Sequence, residues 1–327
     1  MHYREFGKTG WRVSEIGFGG ARIGGLLAQD GGRAAALRTL EAAREAGINF
    51  YDTADMYAQG ESEILIGQAF RKMRDKVFIA TKGGYRLPAR RRLIQLIKPL
   101  AKPIARAIGL RRNAVPAGLS GAISQDFSPG YLRNAVEASL RRLRSDHIDL
   151  YQLHSPPQEQ LLATRFQDTL GLLARLKAEG KIREYGIALD TADDAAHCLG
   201  MEGIASLQVP FGLMDPEALD SVFDKLSERQ YGIVSRGCFG GGALKQSLTE
   251  ADLRAVEPKW ERVLQIRRLA GLMQRSPLEA ALQFSLSIKR ISVTILGMRI
   301  PQHLAANLQY YAAKPLTDEE KRELLAR

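Results

Sequence analysis

The sequence predicts an α/β protein, namely a (β/α)8 barrel of the TIM type with an N-terminal β-hairpin and a basic helical insertion after strand 3. Eight short apolar runs alternate with stretches whose apolar residues recur every three or four positions, the spacing of amphipathic helices. The runs are almost continuously apolar, which is typical of parallel strands covered by helices. Eight such units favour a closed barrel over an open sheet.

The predicted elements follow one another regularly along the chain. HYREFGKTGWRVS predicts a hairpin around a Lys-Thr-Gly turn. The eight strands are predicted in SEIGFGG, NFYDTA, VFIATK, IDLYQLH, REYGIAL, ASLQVPF, GIVSRG and SVTILGM. Gly47, Gly180 and Gly232 are expected in the turns that follow helices. Because no linker or compositional break divides the chain, residues 1–327 are predicted to form a single domain.

The composition excludes several classes of protein. A charged content of 25% and a hydrophobic content of 45% are those of an ordinary globular protein. Cys198 and Cys238 are too few for a disulfide framework and fit no zinc pattern. The N-terminus has no apolar core of a signal peptide, and no run of about 18 apolar residues predicts a membrane span. The sequence therefore predicts a cytoplasmic protein.

The net charge of +11 is concentrated in one segment. Nine basic residues and no acid lie between Tyr85 and Gln125, so the rest of the chain carries only +2. The net charge could suggest nucleic-acid binding, but the basic character is a property of one insertion and not of the fold. No nucleic-acid partner is therefore expected.

The basic segment is the predicted insertion, about residues 85–127. Within residues 86–112 the apolar and basic positions predict an amphipathic helix, bent or broken at Pro99 and Pro103. Three roles stay open: a solvated helix at the barrel edge, a lid over the substrate, or a docking segment for an acidic partner or membrane surface. We expect mobility and a role in substrate access.

Ionisable residues follow three successive strands at the rim where such barrels carry their chemistry. Strand two ends at Asp52, with Tyr57 in the loop beyond it. Strand three ends at Lys82, and strand four ends at His154. Each residue alone has an ordinary explanation, such as a capping, solvated or near-surface side chain. Their joint occurrence at one rim indicates a catalytic site.

The four side chains have complementary chemistry. A phenol is a poor acid at neutral pH, but a neighbouring ammonium stabilises its phenolate. A carboxylate can keep that ammonium charged and oriented, and a neutral imidazole can donate a hydrogen bond to an oxygen that gains charge. Tyr57, Lys82, Asp52 and His154 respectively supply these groups.

The motifs YDTADMYAQGESEILIG, TKGG and DLYQLHSPP together resemble those of the aldo-keto reductase superfamily. The similarity runs from the hairpin to the last helix and is interrupted by the insertion. It implies Asp52, Tyr57, Lys82 and His154 as a catalytic tetrad, with Tyr57 as proton donor. It also implies reduction of an aldehyde or ketone by hydride from a nicotinamide cofactor, without a metal.

The resemblance extends to cofactor-binding residues. Gln208 fits the glutamine that binds the carboxamide, Arg236 the residue packed on the nicotinamide face, and Asn307 the residue that holds adenine. The loop from Gly237 to Gly241 resembles the pyrophosphate belt. The implied set is Gly20, Ala21, Asp52, Gln208, Arg236, Gly237, Cys238, Phe239, Gly241, Gly297, Arg299, His303 and Asn307.

The sequence departs from the family pattern in three respects. Ala188 and Leu189 replace a Ser-Asn pair that binds the carboxamide, and Gly212 replaces a common Asn. Gly297 and His303 replace a lysine and an arginine that bind the ribose 2′-phosphate in many members, which leaves Arg299 as the partner for that phosphate. NADP(H) is therefore expected over NAD(H), by a modest margin.

Two other functions stay open. SQDFSPGYLRNAVEASLRRL is similar to a segment of sugar-oxidising members, so a sugar or polyol dehydrogenase working in the oxidising direction is one. A regulatory subunit that binds cofactor with little turnover is the other; the complete tetrad argues against it, and the missing Ser-Asn pair argues for it. The expected partner is a small carbonyl compound or sugar, and the sequence indicates no oligomeric state.

Overall fold

The computed structural model describes residues 1–24, 32–86, 124–216, 222–228 and 230–326. Strands β1 (Tyr3–Glu5) and β2 (Arg12–Ser14) pair antiparallel and form the predicted hairpin. Eight parallel strands close into a barrel, which confirms the predicted fold class. They are β3 (Ile16–Gly19), β4 (Phe50–Asp52), β5 (Phe78–Gly83), β8 (Ile148–His154), β9 (Ile182–Ala188), β10 (Ser206–Pro210), β11 (Gly232–Arg236) and β12 (Val293–Gly297). Two further strands, β6 (Tyr85–Arg86) and β7 (Ser124–Gln125), pair with each other.

The helices cover the outside of the barrel. Within the described ranges they are α1 (Gly32–Glu45), α2 (Glu61–Phe70), α3 (Pro129–Leu143), α4 (Gln158–Leu162), α5 (Phe166–Ala178), α6 (Phe223–Glu228), α7 (Glu250–Val256), α8 (Trp260–Leu272), α9 (Pro277–Ser287), α10 (Pro301–Ala312) and α11 (Asp318–Leu325). None of the described helices is long and apolar enough to cross a membrane.

Two local predictions differ from the structure. After β9 the chain forms a short 3-10 helix, Asp193–Cys198, where an α-helix was expected. Gly203, with a φ of 79°, turns the chain away soon afterwards and leaves no room for more helical turns. Gly47 and Gly180 follow helices with positive φ as predicted, but Gly232 is the first residue of β11. Gln230, with a φ of 56°, adopts the left-handed conformation in that turn.

The hairpin closes the N-terminal end of the barrel. Phe6, Trp11 and Val13 are buried there among apolar side chains from the barrel strands: Phe50, Ala80, Leu150, Val234, Val293 and Ile295. The fit is close, since a Cβ atom on Gly232 would lie 2.5 Å from the Phe6 ring. Burying a side chain of this size stabilises the fold by roughly 1.5–3 kcal/mol. This end of the barrel is therefore a packed apolar core.

Helices α2 and α3 pack against each other behind the loop that follows β4. A side chain on Gly67 would collide with the Leu143 backbone, so the glycine permits this close approach. Glu63 is fully buried and accepts hydrogen bonds from Thr81 Oγ1 at 2.6 Å and Arg142 Nε at 2.5 Å. The buried ion pair thus links β5, α2 and α3 and fixes the frame around the β4 loop.

The base of the insertion is a two-residue ladder in which Tyr85 pairs with Gln125 and Arg86 with Ser124. Tyr131 in α3 donates a hydrogen bond from its hydroxyl to the Tyr85 carbonyl oxygen at 2.7 Å. The ladder therefore has a defined position against α3. The amphipathic helix predicted within residues 86–112 lies, apart from Arg86, outside the described residues.

Candidate active site

The barrel register brings the four tetrad residues to one end. Asp52 is the last residue of β4, His154 is the last residue of β8, and Lys82 lies one residue before the end of β5. Tyr57 begins the short 3-10 helix in the loop after β4. Since all these strands are parallel, their carboxyl ends meet at the same rim.

A buried ion pair lies at the centre of this rim. Lys82 Nζ donates to Asp52 Oδ1 at 2.7 Å and Oδ2 at 2.8 Å, and also to the Thr53 carbonyl oxygen at 2.8 Å. Only 1% of Lys82 and 4% of Asp52 is exposed, so the two charges depend on each other. Burial lowers the pKa of Lys82, but the Asp52 charge and the neighbouring Tyr57 outweigh burial and raise it overall. Lys82 is therefore an ammonium at neutral pH.

The loop after β4 holds Tyr57 against this ammonium. Lys82 Nζ lies 5.2 Å from the centre of the Tyr57 ring, and a hydrogen bond with the Tyr57 hydroxyl contributes to the raised pKa of Lys82. Ala58 and Gln59 have φ values of 47° and 60°, and Gly60 follows at 89°. Residues other than glycine rarely adopt this left-handed backbone conformation, and such strain concentrates at functional sites.

His154 lies between two tyrosine rings. Its ring centre is 5.8 Å from that of Tyr57 and 4.9 Å from that of Tyr85, both edge to face. Burial, followed by the charges of Lys82 and Arg236, lowers the pKa of His154 to about 3. The imidazole is therefore neutral at pH 7. Its Nδ1 atom is buried and has no hydrogen-bond partner among the described residues.

Gln208 extends the site toward β10. Its Nε2 donates to Asp52 Oδ1 at 3.1 Å, whereas its Oε1 is buried without a partner in the described parts of the chain. In register, Ala188 separates His154 from Gln208, and its small side chain leaves space between them. A buried acceptor beside such a space fits the amide group of a nicotinamide.

Arg236 reaches from the end of β11 to the end of β9. Its Nη2 donates to the Leu189 carbonyl oxygen at 2.9 Å and to Asp190 Oδ1 at 3.3 Å. Ser155 Oγ donates to the same carboxylate oxygen at 2.7 Å. Leu189, which replaces the family's Asn, has a fully buried side chain, so only its backbone takes part here.

The loop after β11 exposes its backbone. Gly237, Gly240 and Gly241 have φ values of 82°, 57° and 63°, and a Cβ atom on Gly237 or Gly241 would meet no neighbour within 4 Å. Arg22 Nη2 donates to the Gly241 carbonyl oxygen at 3.4 Å, which links this loop to the loop after β3. A glycine-rich backbone that no side chain covers, beside a guanidinium, fits a phosphate group.

Four other predicted cofactor residues have clear positions in these loops. Gly20 is buried, because a Cβ atom there would lie 2.7 Å from Ser62 Oγ, while Ala21 is exposed beside it. Cys238 is buried, and burial raises the pKa of its thiol, so it is no reactive nucleophile. The Phe239 ring contacts Tyr310 of α10 at 6.5 Å.

The remaining predicted residues surround the start of α10. Asn307 is 4% exposed and its Nδ2 lies 3.5 Å from the Gly297 carbonyl oxygen. The Arg299 amide faces His303 Nδ1 at 3.4 Å. The N-terminus of a helix and a neighbouring arginine favour an anion. The predicted cofactor residues therefore form two groups, one around Asp52 and one between the β11 loop and α10.

Several residues of this rim were not predicted from the sequence. Tyr85, Ser155 and Asp190 lie beside His154 and Arg236, and Arg22 contacts the glycine loop. Asp190, an acid two residues beyond the end of β9, has the same kind of sequence signal as Asp52. An aromatic residue two positions after β5 was a comparable signal for Tyr85.

Comparison with known proteins identifies the relatives of this chain. The model of the Aldo/keto reductase family matches residues 15–326. An uncharacterized oxidoreductase of Bacillus subtilis, YqkF, is 27% identical over 99% of this chain and 95% of its own length. A D-threo-aldose 1-dehydrogenase of a Pseudomonas species is 29% identical over 93% of this chain and 91% of its own. The holo structure of an aldo-keto reductase from Bacillus halodurans superposes with a TM-score of 0.79 at 27% identity, covering 100% of this chain and 97% of that one.

Proposed function

This chain belongs to the aldo/keto reductase family, and from that premise we propose that it reduces a small aldehyde or ketone with Tyr57 as proton donor. Members of the family are NAD(P)-dependent oxidoreductases. The observation that carries the assignment is the buried Asp52–Lys82 pair against Tyr57, 5.2 Å from the Lys82 ammonium to the ring centre. A phenol beside a fixed ammonium is a competent proton donor.

Each tetrad residue has one task in this reaction. A bound reduced nicotinamide supplies a hydride to the carbonyl carbon. The Tyr57 hydroxyl gives its proton to the carbonyl oxygen, and the Lys82 ammonium stabilises the phenolate that remains. Asp52 keeps Lys82 charged and oriented through two hydrogen bonds.

His154 assists as a neutral donor. Its lowered pKa, about 3, keeps the ring uncharged next to the Lys82 ammonium. A neutral imidazole still has one N–H group that can donate to the carbonyl oxygen as it gains charge. A second cation at this position would repel Lys82, so the low pKa is what permits both groups to act together.

The cofactor is held by the two groups of residues around the site. Gln208 and Arg236 would hold the nicotinamide end, and the glycine loop after β11 would bind the pyrophosphate. Arg299, His303 and Asn307 would hold the adenosine end, where Arg299 would be the fixed cation for a 2′-phosphate. We therefore propose NADP(H) over NAD(H), and the cytoplasmic location expected from the sequence remains a prediction.

A second candidate function uses the same site in reverse. The relative from Pseudomonas is a D-threo-aldose 1-dehydrogenase by name and is 29% identical over almost the whole chain. In the oxidising direction Tyr57 would accept a proton from a sugar hydroxyl. A regulatory subunit with little turnover is less consistent with the site, because the four tetrad side chains are in contact.

The test is turnover of benzaldehyde with NADPH, followed by the loss of absorbance of the reduced nicotinamide. Tyr57→Phe should lower kcat by about 10²–10⁴-fold, the usual contribution of general acid catalysis. Cofactor affinity, measured by fluorescence titration, should not change. Tyr3→Phe is the matched control, because Tyr3 donates its hydroxyl to the Gly47 carbonyl oxygen at the other end of the barrel.

Two outcomes would change the assignment. A loss of only a few-fold in Tyr57→Phe would show that another group gives the proton. Faster turnover of aldoses with NADP⁺ than of aldehydes with NADPH would replace carbonyl reduction by sugar oxidation.

A further inference from the structure

A polar group outside the tetrad lies directly beside His154. It consists of Tyr85, Ser155, Asp190 and Arg236, and we call it the rim network. Ser155 Oγ and Arg236 Nη2 both donate to Asp190 Oδ1, at 2.7 Å and 3.3 Å. Tyr85 adjoins them through its ring, which packs edge to face against His154, the residue before Ser155. Four side chains from four different segments of the chain thus meet at one edge of the site.

Tyr85 is fixed in place by its surroundings. Its ring centre lies 4.9 Å from that of His154, and its carbonyl oxygen accepts from the Tyr131 hydroxyl at 2.7 Å. Gln125, its partner in the β6–β7 ladder, donates from Nε2 to the carbonyl oxygens of His154 and Ser155 at 3.2 Å and 2.7 Å. The ladder therefore holds Tyr85 and the end of β8 as one unit.

Asp190 supplies the negative charge of the rim network. Its hydrogen bonds with Ser155 and Arg236 both use Oδ1, and 67% of its side chain is exposed, so Oδ2 can receive a ligand. Asp190 is held by Ser155, the residue that follows His154, and the Tyr85 ring packs on His154 itself. Burial first and the Asp190 charge second raise the pKa of the Tyr85 hydroxyl. An anionic acceptor therefore lies within the same cluster as the phenol that touches His154.

We propose that the rim network recognises a hydroxyl group on the carbon next to the reacting carbonyl. The preferred substrates are then short α-hydroxy aldehydes or ketones rather than unsubstituted ones. The inference rests on the proposed function, which places the carbonyl oxygen between the Tyr57 hydroxyl and His154. The carbon next to the carbonyl then faces the Tyr85 side of His154.

The chemistry of the network suits a hydroxyl better than other substituents. A hydroxyl donates one hydrogen bond and accepts others, so it can donate to Asp190 and accept from Tyr85 or Ser155. A hydrogen bond to a carboxylate is stronger than one between neutral groups. A site built to bond a hydroxyl rejects the analogue that lacks it, because its own polar groups lose their partner.

The experiment compares glyceraldehyde with propanal, which has the same carbon chain without the hydroxyls, by kcat/KM with NADPH. The wild type should prefer glyceraldehyde. In Asp190→Asn and Asp190→Ala the ratio of the two kcat/KM values should fall about ten-fold, as expected for a lost hydrogen bond to a charged group. Tyr85→Phe should lower the ratio less. Asp193→Asn is the matched control, since Asp193 is an exposed acid three residues away.

Other outcomes would overturn the inference. A wild-type ratio near one would mean that the rim network does not recognise the hydroxyl. An equal loss of kcat/KM for both substrates in the Asp190 variants, together with weaker cofactor binding by fluorescence titration, would mean that Asp190 only positions Arg236. Turnover of neither substrate by the wild type would contradict the proposed function instead. Calorimetric titration with glycerol and 1-propanol then tests the network alone: stronger binding of glycerol that Asp190→Asn abolishes would support it, and equal binding would overturn it.

Discussion

The two ends of the barrel are built from the same strands but differ in every physical respect. At the N-terminal end Phe6 stacks with Trp11 and Phe50 at 5.7 Å and 5.6 Å, and Trp11 stacks with Phe78 at 5.1 Å. At the C-terminal end, two residues further along each strand, the apolar residue is followed by a polar one. Asp52 follows Phe50 in this way, Lys82 follows Ala80, and Gln152 follows Leu150.

The C-terminal end also contains buried polar atoms that lack partners among the described residues. They include both amide atoms of Gln152, Gln208 Oε1 and His154 Nδ1. Each such atom destabilises the fold by about 1–3 kcal/mol unless a ligand or water satisfies it. Stability and chemistry are therefore separated along the strands. Apolar packing at the N-terminal end offsets the cost of the buried polar atoms at the C-terminal end.

Lys82→Met is the largest expected break in this separation. It removes the cation that stabilises the phenolate, so kcat should fall by about 10²–10⁴-fold. It also leaves Asp52, 4% exposed, without its ammonium, which should lower the free energy of unfolding by about 3–5 kcal/mol. Denaturant unfolding and steady-state kinetics measure the two effects independently.

The double variant Asp52→Leu/Lys82→Met is its control. Replacing a whole buried ion pair with apolar residues is often neutral for stability. The double variant should therefore recover stability without recovering activity. Equal instability of the single and double variants would show that the Asp52–Lys82 pair is not what ties stability to chemistry here.

Phe6→Ala tests the opposite end. Phe6 is fully buried in the aromatic stack, so truncation should lower the free energy of unfolding by about 3–5 kcal/mol. The kcat of the folded variant should stay at the wild-type value, because Phe6 lies in the apolar core under the hairpin, at the end of the barrel away from the tetrad. If kcat falls by much more than the folded fraction does, the two ends of the barrel are mechanically coupled.

The sequence predicted the architecture because the relevant signals are local. Strand positions follow from apolar runs, and Asp52, Lys82 and His154 were selected because each follows such a run at the rim. That these side chains meet depends only on parallel strands sharing an edge. The hairpin was likewise predictable from two short β-rich runs and a glycine turn.

The contacts within the rim network could not be predicted, although Asp190 and Tyr85 each have a local sequence signal, because the contacts depend on register and on loop conformation. Tyr85, Ser155 and Asp190 are far apart in sequence, and only the alignment of His154 with Ala188 brings their segments together. The left-handed conformations of Ala58 and Gln59 carry no sequence signal, since neither residue favours them. The 3-10 helix after β9 is similar: its composition is compatible with an α-helix.

His154 should make the C-terminal end sensitive to acid. Its pKa is about 3 in the folded protein and about 6.5 in an unfolded chain, so between these values only the unfolded state binds the proton. Stability must then fall as the pH decreases below 6.5, by about 1.4 kcal/mol per unit.

Denaturant unfolding at pH 7 and pH 5 measures this effect. The wild type should lose about 2 kcal/mol more than His154→Gln on that change, from the same slope. Phe6→Ala, altered at the other end, should keep the wild-type pH dependence. Identical losses in wild type and His154→Gln would show that His154 is not protonated on unfolding in this range.

The smallest expected effect concerns the choice between NADPH and NADH at the start of α10. Gly297 offers no charge to a 2′-phosphate, whereas Arg299 is a permanent cation that is only half-buried and therefore screened by solvent. Exposed ion pairs contribute up to about 1 kcal/mol, so NADPH should bind about five-fold more tightly than NADH.

Arg299→Ala should remove most of this difference by weakening NADPH binding alone. Lys314→Ala, which removes an equal charge just beyond the other end of α10, should leave the difference intact. Equal affinities for both cofactors that do not respond to Arg299→Ala would show that this chain does not read the phosphate at α10.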